Sequence, residues 1–382
     1  MRTRVFVDAV VAVSAVLALL RARRLPAAPS SPEGPSPGRR VSPLAALAVV
    51  TALIYLNQVL FTVYVLRVHG GDPSFVARYL PSGWFDLAPA HPALRRFADA
   101  FPAPGLLAPS VLRVQAFLEL PFVLLAFAVV VRWLDAGLYR AIARSVLLPL
   151  AAVSYTVVFC LVEWDLRNLY TNDDIAVRAA SAVVTPCLLR WLAARDRETF
   201  RTPASVPGLL VLIGSLGALG ALVLVVYDTA LLYNPGRLGE RLPVAAVAVL
   251  ALVGLRRAAS RLREPAAPGP VLTFVRQALR HWFALFLVPA LAIRYGVTFG
   301  TPAVAGVAAL VLAVAAVALA RRDAAVGAGR LGLAVLDAAG AACAAAWATP
   351  AAYYEVGLLS AAAAFLVTGV VVGGLLDARP AR

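Results

Sequence analysis

The sequence has no lysine, three histidines, three cysteines and one methionine, and it sets 20 acids against 35 arginines over 382 residues. Three well-separated histidines (His69, His91, His281) exclude a histidine-rich metal centre. Cys160, Cys187 and Cys343 lie in apolar runs without ligand spacing, so they read as small buried hydrophobes. No phosphate-binding glycine loop occurs, and no polar stretch is long enough for a soluble domain, which disfavours a nucleotide-driven mechanism. Arginine in place of lysine matches G+C-rich codon usage and carries little chemical information by itself.

What the chain has in abundance is apolar surface: 62% hydrophobic residues against 14% charged. A chain so composed is solvated mostly by lipid. The net charge of +15 would suit nucleic acid, but the arginines gather in short loops between apolar runs, as membrane topology requires. The bilayer is therefore the expected partner, and nucleic acid is not.

A helical span needs roughly 17–25 apolar residues. Eleven segments are candidates, of which 5–20 and 243–255 fall short of that length: 5–20, 44–66, 111–131, 146–162, 175–192, 206–226, 243–255, 282–299, 302–320, 331–348 and 356–376. The expected fold is all-α and polytopic, one transmembrane domain over 1–382; ten spans with the N-terminus inside is the alternative, because 5–20 is short and contains Asp8 and 243–255 is also short. Arginine clusters follow the odd-numbered spans and largely avoid the loops between. The positive-inside rule then sets the N-terminus outside and the C-terminus in the cytoplasm of the plasma membrane. Residues 25–42 form a Pro/Ser/Arg-rich linker on the cytoplasmic side. Residues 67–109 form a long extracytoplasmic loop whose pieces 74–80 and 93–101 have the pattern of interfacial helices. A further amphipathic piece, 271–281, should run into the eighth span.

The acids collect on the arginine-poor side, and four of them (Glu163, Asp165, Asp173, Asp174) fall within one stretch, FCLVEWDLRNLYTNDDIAVR. Asn172 and Asp173 suit the start of a helix. Glu163 and Asp165 end a span, where negative charge is disfavoured and needs a partner such as Arg167, Arg178, a cation or a substrate group. Within the spans, Gln115 and Glu119 share a face just before Pro121, Asn57 and Gln58 lie roughly 12–14 Å from the end of span 2, and Arg294, midway along span 8, is the natural counter-charge. An ionisable residue at such depth marks a site by default; interhelical packing is the plainer account of the amides.

A long first external loop built of juxtamembrane helices and opening on an aspartate just past a span (GGDPSFVARY) resembles the GT-C-fold glycosyltransferases. The resemblance implies a polyprenyl-phosphate-linked sugar as donor and Asp72 as catalytic base, with Glu163 or Asp165 as second acid. It further implies Arg78, Arg167 and Arg178 near the lipid phosphate; Tyr79 and Trp84, aromatics of the same loop, are further candidate substrate-binding residues. Such chemistry needs a carboxylate to take the acceptor proton and arginine or a divalent cation to absorb charge on the leaving phosphate. This chain departs from the family in having an extra span before the loop and no paired-acid motif beside Asp72. A transporter or channel with a midplane site of Glu119, Arg294, Gln115 and Asn57 is the alternative reading, and a non-catalytic membrane subunit is a third.

The topology makes a direct prediction. A cysteine placed between Asp165 and Asp173 should react with a membrane-impermeant maleimide added outside intact cells; reaction only after permeabilisation would invert every assignment of side.

Overall fold

A computed structural model describes residues 2–22, 42–72, 92–100, 108–166, 171–196, 203, 205–231, 235–262, 268–324, 326–349 and 354–378. Among these residues every regular element is helical. The helices are α1 (Arg2–Ala22), α2 (Pro43–Val68), α3 (Pro92–Ala100), α4 (Ala108–Leu134), α5 (Ala136–Arg144), α6 (Leu147–Leu166) and α7 (Thr171–Arg195). α8 (Val206–Val226) passes into a π-helical turn, Tyr227–Leu231. After it come α9 (Leu238–Arg261), α10 (Pro270–Phe286), α11 (Ala290–Phe299), α12 (Pro302–Asp323), α13 (Ala328–Ala348) and α14 (Tyr354–Ala378).

Ten of the described helices are long and apolar enough to cross a membrane. α10 and α11 together make an eleventh candidate, bent by 64° at a short break. The protein is thus a polytopic helical membrane protein, with a count matching the hydropathy reading. The eighth segment differs from expectation. Instead of one continuous span over 282–299, the helix begins at Pro270 and stops at Phe286, and Pro289 precedes a new helix. Proline lacks the N–H that would continue the ladder, which accounts for the break.

α4 is the hub. It packs against α2, α7, α8, α10 and the short helix α5, while α9, α13 and α14 lie at the periphery with few buried residues. α1 is an integral part of the bundle, packed on α6, α11 and α12. Its Asp8 carboxylate accepts from the Thr301 backbone N–H at 2.7 Å and from the Thr301 hydroxyl at 2.6 Å, holding the start of α12. α5, which hydropathy alone leaves as loop, is a short amphipathic helix capped by Asp135, whose carboxylate accepts from Leu138 N–H at 2.9 Å.

Polar contacts sort to two ends. At the arginine-rich end, Arg132 makes a bidentate, buried pair with Asp196 at 2.6 and 2.8 Å. Arg280 pairs with Asp135, and His281 contacts Asp323. Burial holds the Tyr139 hydroxyl, beside the Arg132–Asp196 pair, well above the usual phenol range, so it stays neutral. Asp377, at the end of α14, accepts from the Val271 and Leu272 backbone N–H groups at 3.0 and 3.1 Å and so caps α10 from another helix. A Cβ on Gly269 would meet that carboxylate and push it from its place, so the close approach favours glycine there.

At the opposite end, Gly70 and Gly71 have φ of +61° and +89°, a left-handed turn that non-glycine residues adopt at a cost. This turn stops α2 and leaves Asp72 exposed. α3 realises the expected amphipathic piece 93–101. The Arg67 guanidinium donates to its Ala98 and Asp99 carbonyls at 2.7 and 2.6 Å, tying α3 to α2. The linker 25–41 and the piece 74–80 lie outside the described residues.

Asp377→Ala should lower the unfolding stability of the detergent-solubilised protein by about 1 kcal/mol, the usual value of a lost helix N-cap. Gly269→Ala should act in the same direction because it displaces the same carboxylate, and combining the two changes should be less than additive in a thermal melt.

Candidate functional site: a carboxylate–arginine cluster inside the bundle

Pro121 interrupts the backbone ladder of α4 by withholding a donor from the Phe117 carbonyl. In lipid a freed carbonyl must be satisfied within the protein. The Ser181 hydroxyl on α7 donates to it at 2.7 Å. This contact draws α7 against α4 and sets the register at which Arg178, three residues before Ser181, faces Glu119, two residues before Pro121.

Arg178 bridges two carboxylates. Its Nη1 lies 3.1 Å from Glu119 Oε2 and its Nε 2.7 Å from Glu163 Oε1. The guanidinium also stacks over the Phe159 ring, 4.1 Å from the centroid. Glu119 and Arg178 are each 7% exposed. At 1.5 Å per residue Glu119 sits about 16 Å along α4 from its start, whereas Arg178 is about 10 Å into α7 and Glu163 about 5 Å from the end of α6. The three thus lie within the bundle, toward its arginine-poor end.

Aromatic side chains close the cluster. Phe159 packs against Tyr155 and Tyr295 with centroids 4.8 and 4.5 Å apart. Tyr227 packs edge-on against Phe122, one residue beyond Pro121, with ring centroids 6.0 Å apart. One turn before Arg178, Asp174 is 7% exposed, near both Glu163 and Arg178. Glu163 Oε2 and Asp174 Oδ1 are buried without a hydrogen-bond donor from the protein. Asp173, on the adjacent face, is ion-paired with Arg113 of α4, both partly exposed.

The cluster continues toward α2. Gln115, one turn before Glu119, accepts from Asn57 Nδ2 at 3.2 Å. Gln58 is 3% exposed, and both its amide atoms lack a partner in the protein, as does Gln115 Nε2. Beside them the Tyr55 hydroxyl meets Thr229 Oγ1 at 2.8 Å. Thr229 spends its own proton on the Val225 carbonyl, so Tyr55 is the donor.

These positions bear directly on the residues singled out from sequence. Glu163 has the compensating partner that its place at a helix end demanded, and that partner is Arg178. Glu119 pairs with Arg178; Arg294, to which sequence had assigned that role, lies over the Tyr227 ring, 4.5 Å from its centroid. Arg294 therefore belongs to the aromatic wall of the same cluster. Asp173 opens α7 but engages Arg113 instead of serving only as a helix cap. Asp72 is exposed at the end of α2. Asp165 lies in the last turn of α6, and nothing further is described of its side chain. Arg78, Tyr79, Trp84 and Arg167 lie outside the described residues. Sequence reasoning treated Asp174 as one of four loop acids, although its spacing of four from Arg178 on a helix would have placed both on one face. A small crevice lined by Leu124, Phe127, Val131, Tyr139, Ile142 and Leu287 sits toward the arginine-rich end and contains no charged group.

Among the described residues no three His, Cys, Asp or Glu side chains converge closely enough to hold a metal ion. Comparison of the chain with protein-family models, with curated proteins and with solved structures finds no match.

Removing Arg178 leaves two buried carboxylates facing one another, a change that typically costs about 3–5 kcal/mol. Arg178→Leu should therefore greatly lower the melting temperature in detergent. Adding Glu119→Gln and Glu163→Gln to it should restore most of the loss; a triple variant no better than the single one would show that the cluster is not held by charge.

Proposed function

We propose that this chain is a multi-pass plasma-membrane protein, with its C-terminus in the cytoplasm, that carries protons across the bilayer, alone or coupled to a solute, through the Glu119–Arg178–Glu163 cluster. The observation that carries the reading is one guanidinium shared by two carboxylates inside a lipid-facing bundle. Negative charge in such surroundings is costly, and ionisable groups placed there are seldom structural filler. Glu163 Oε2 and Asp174 Oδ1, buried without donors, leave the cluster with more carboxylate oxygen than its guanidinium satisfies. A proton fits better than a metal ion, since the described acids do not converge in a ligand set. The bent α10–α11 pair next to the cluster, bearing Arg294 and Tyr295, fits a transporter, in which discontinuous helices border the site.

Sugar transfer from a polyprenyl-phosphate-linked donor is the second reading. Asp72, presented to solvent by the Gly70–Gly71 turn at the end of a span, favours it. The engagement of Arg178 by two carboxylates weighs against it, because a guanidinium so committed is poorly placed to receive a lipid phosphate.

Purified protein in liposomes containing a pH-sensitive dye should dissipate an imposed proton gradient faster than empty liposomes, and Glu119→Gln should remove the difference. Wild-type flux equal to that of empty liposomes, at several membrane potentials, would overturn proton carriage. Loss of labelled-sugar turnover in Asp72→Asn would instead establish the second reading.

A further inference from the structure

The amides between α2 and α4 are not explained by packing alone. An interhelical pair such as Asn57–Gln115 satisfies one donor and one acceptor and serves as glue. Gln58 does not fit that account. It is buried to 97%, and neither its Nε2 nor its Oε1 meets a partner in the protein. A buried amide left unpaired weakens the fold, whereas a leucine of similar size leaves no polar group to satisfy. The adjacent Gln115 Nε2 is also unpartnered. Three unsatisfied amide atoms, two donors and an acceptor, complement a small neutral molecule that both accepts and donates. Water has that chemistry, and buried waters typically make about three hydrogen bonds to such groups.

The position of these amides gives the water a use. Gln115 and Glu119 lie one turn apart on one face of α4, and α2 packs along α4 and against the π-helical turn. Tyr55 and Thr229 close one side of the seam. Amides do not themselves relay protons at neutral pH, but they orient water that does.

We propose that Gln58, Asn57 and Gln115 form a water-binding seam that delivers protons from the arginine-poor end of the bundle to Glu119, an inference that rests on the proton-carrying reading above. The step balances simply: a hydronium in the seam gives its proton to the Glu119 carboxylate, leaving water and a neutral carboxylic acid. Arg178 then keeps Glu163 as its anionic partner. The groups facing Glu119 from the neighbouring helices are Arg178, with Glu163 and Asp174 behind it, and Tyr155, Tyr227 and Tyr295. Arg294 stands over Tyr227, and Arg113 is engaged by Asp173.

Two measurements on the full chain test the seam. The first is proton flux in dye-loaded liposomes for wild type, Gln58→Leu, Gln115→Leu and Glu119→Gln. The seam predicts that Gln58→Leu folds with an unchanged or higher melting temperature, that Gln115→Leu, which also gives up the bond from Asn57, folds with a lower one, and that each loses flux by about tenfold, the effect of one lost hydrogen bond to a water. Leucine variants with wild-type flux, alongside an inactive Glu119→Gln, would overturn the seam and leave the proton reading standing. The second is hydroxyl-radical labelling of the protein in detergent, which oxidises buried side chains only where water lies next to them. Phe61, 1% exposed and one turn from Asn57 and Gln58, should be oxidised in wild type and protected in Gln58→Leu. Phe61 unlabelled in wild type would overturn the seam whether or not any proton flux is seen, because this readout does not depend on transport.

Discussion

A single guanidinium buried between two carboxylates governs the inner part of this protein. Arg178 contacts Glu119 on α4 and Glu163 on α6 from its own place on α7, so three spans are tied at one point. Removing a charge from water is expensive, and attraction within the low-dielectric interior offsets that cost only when geometry and additional contacts are good. Here the added contacts are the Phe159 face and the tyrosine wall. Replacement by apolar residues would satisfy packing at least as well, which makes the cluster more informative about function than about stability.

The local chemistry that allows this arrangement starts with a proline. Pro121 releases the Phe117 carbonyl, Ser181 takes it, and the resulting approach of α4 and α7 brings their charged residues together. The same logic recurs at other termini. Asp377 caps α10 from α14, Asp8 holds the start of α12 from α1, and Arg67 covers the last carbonyls of α3 from α2. In each case a polar group near a helix end is satisfied by a different helix. Such cross-helix caps fix how the bundle assembles without any large hydrophobic driving force between spans.

The polar groups divide by role. The bidentate Arg132–Asp196 pair joins the end of α4 to the residue that follows α7, with both side chains engaged by each other. The cluster toward the opposite end is not fully matched, with open oxygens on Glu163 and Asp174 and open amides on Gln58 and Gln115. Several unpaired atoms gathered beside buried charges distinguish this region from the single unpaired hydroxyls and amides elsewhere in the bundle. This difference, and not the mere presence of charge, directs attention to α2, α4, α6 and α7.

The number and order of spans were legible in the sequence because lipid imposes a length and an apolarity that no tertiary contact can override. The amphipathic helix α3 was legible from its periodicity, and Glu163's need for a partner from its place at a helix end. The short helix α5 and the break at Pro289 were less so, since each depends on what the segment packs against. Which arginine would face Glu119 was not legible at all: Arg178 and Arg294 are equally charged and similarly deep, and the choice follows from the helix register that Ser181 and Pro121 set. Composition determined that the chain lives in a membrane; only the packing of α4 against α7 decided which of its buried charges meet, because attraction between ions acts over a few ångströms and a one-residue rotation of a helix removes it.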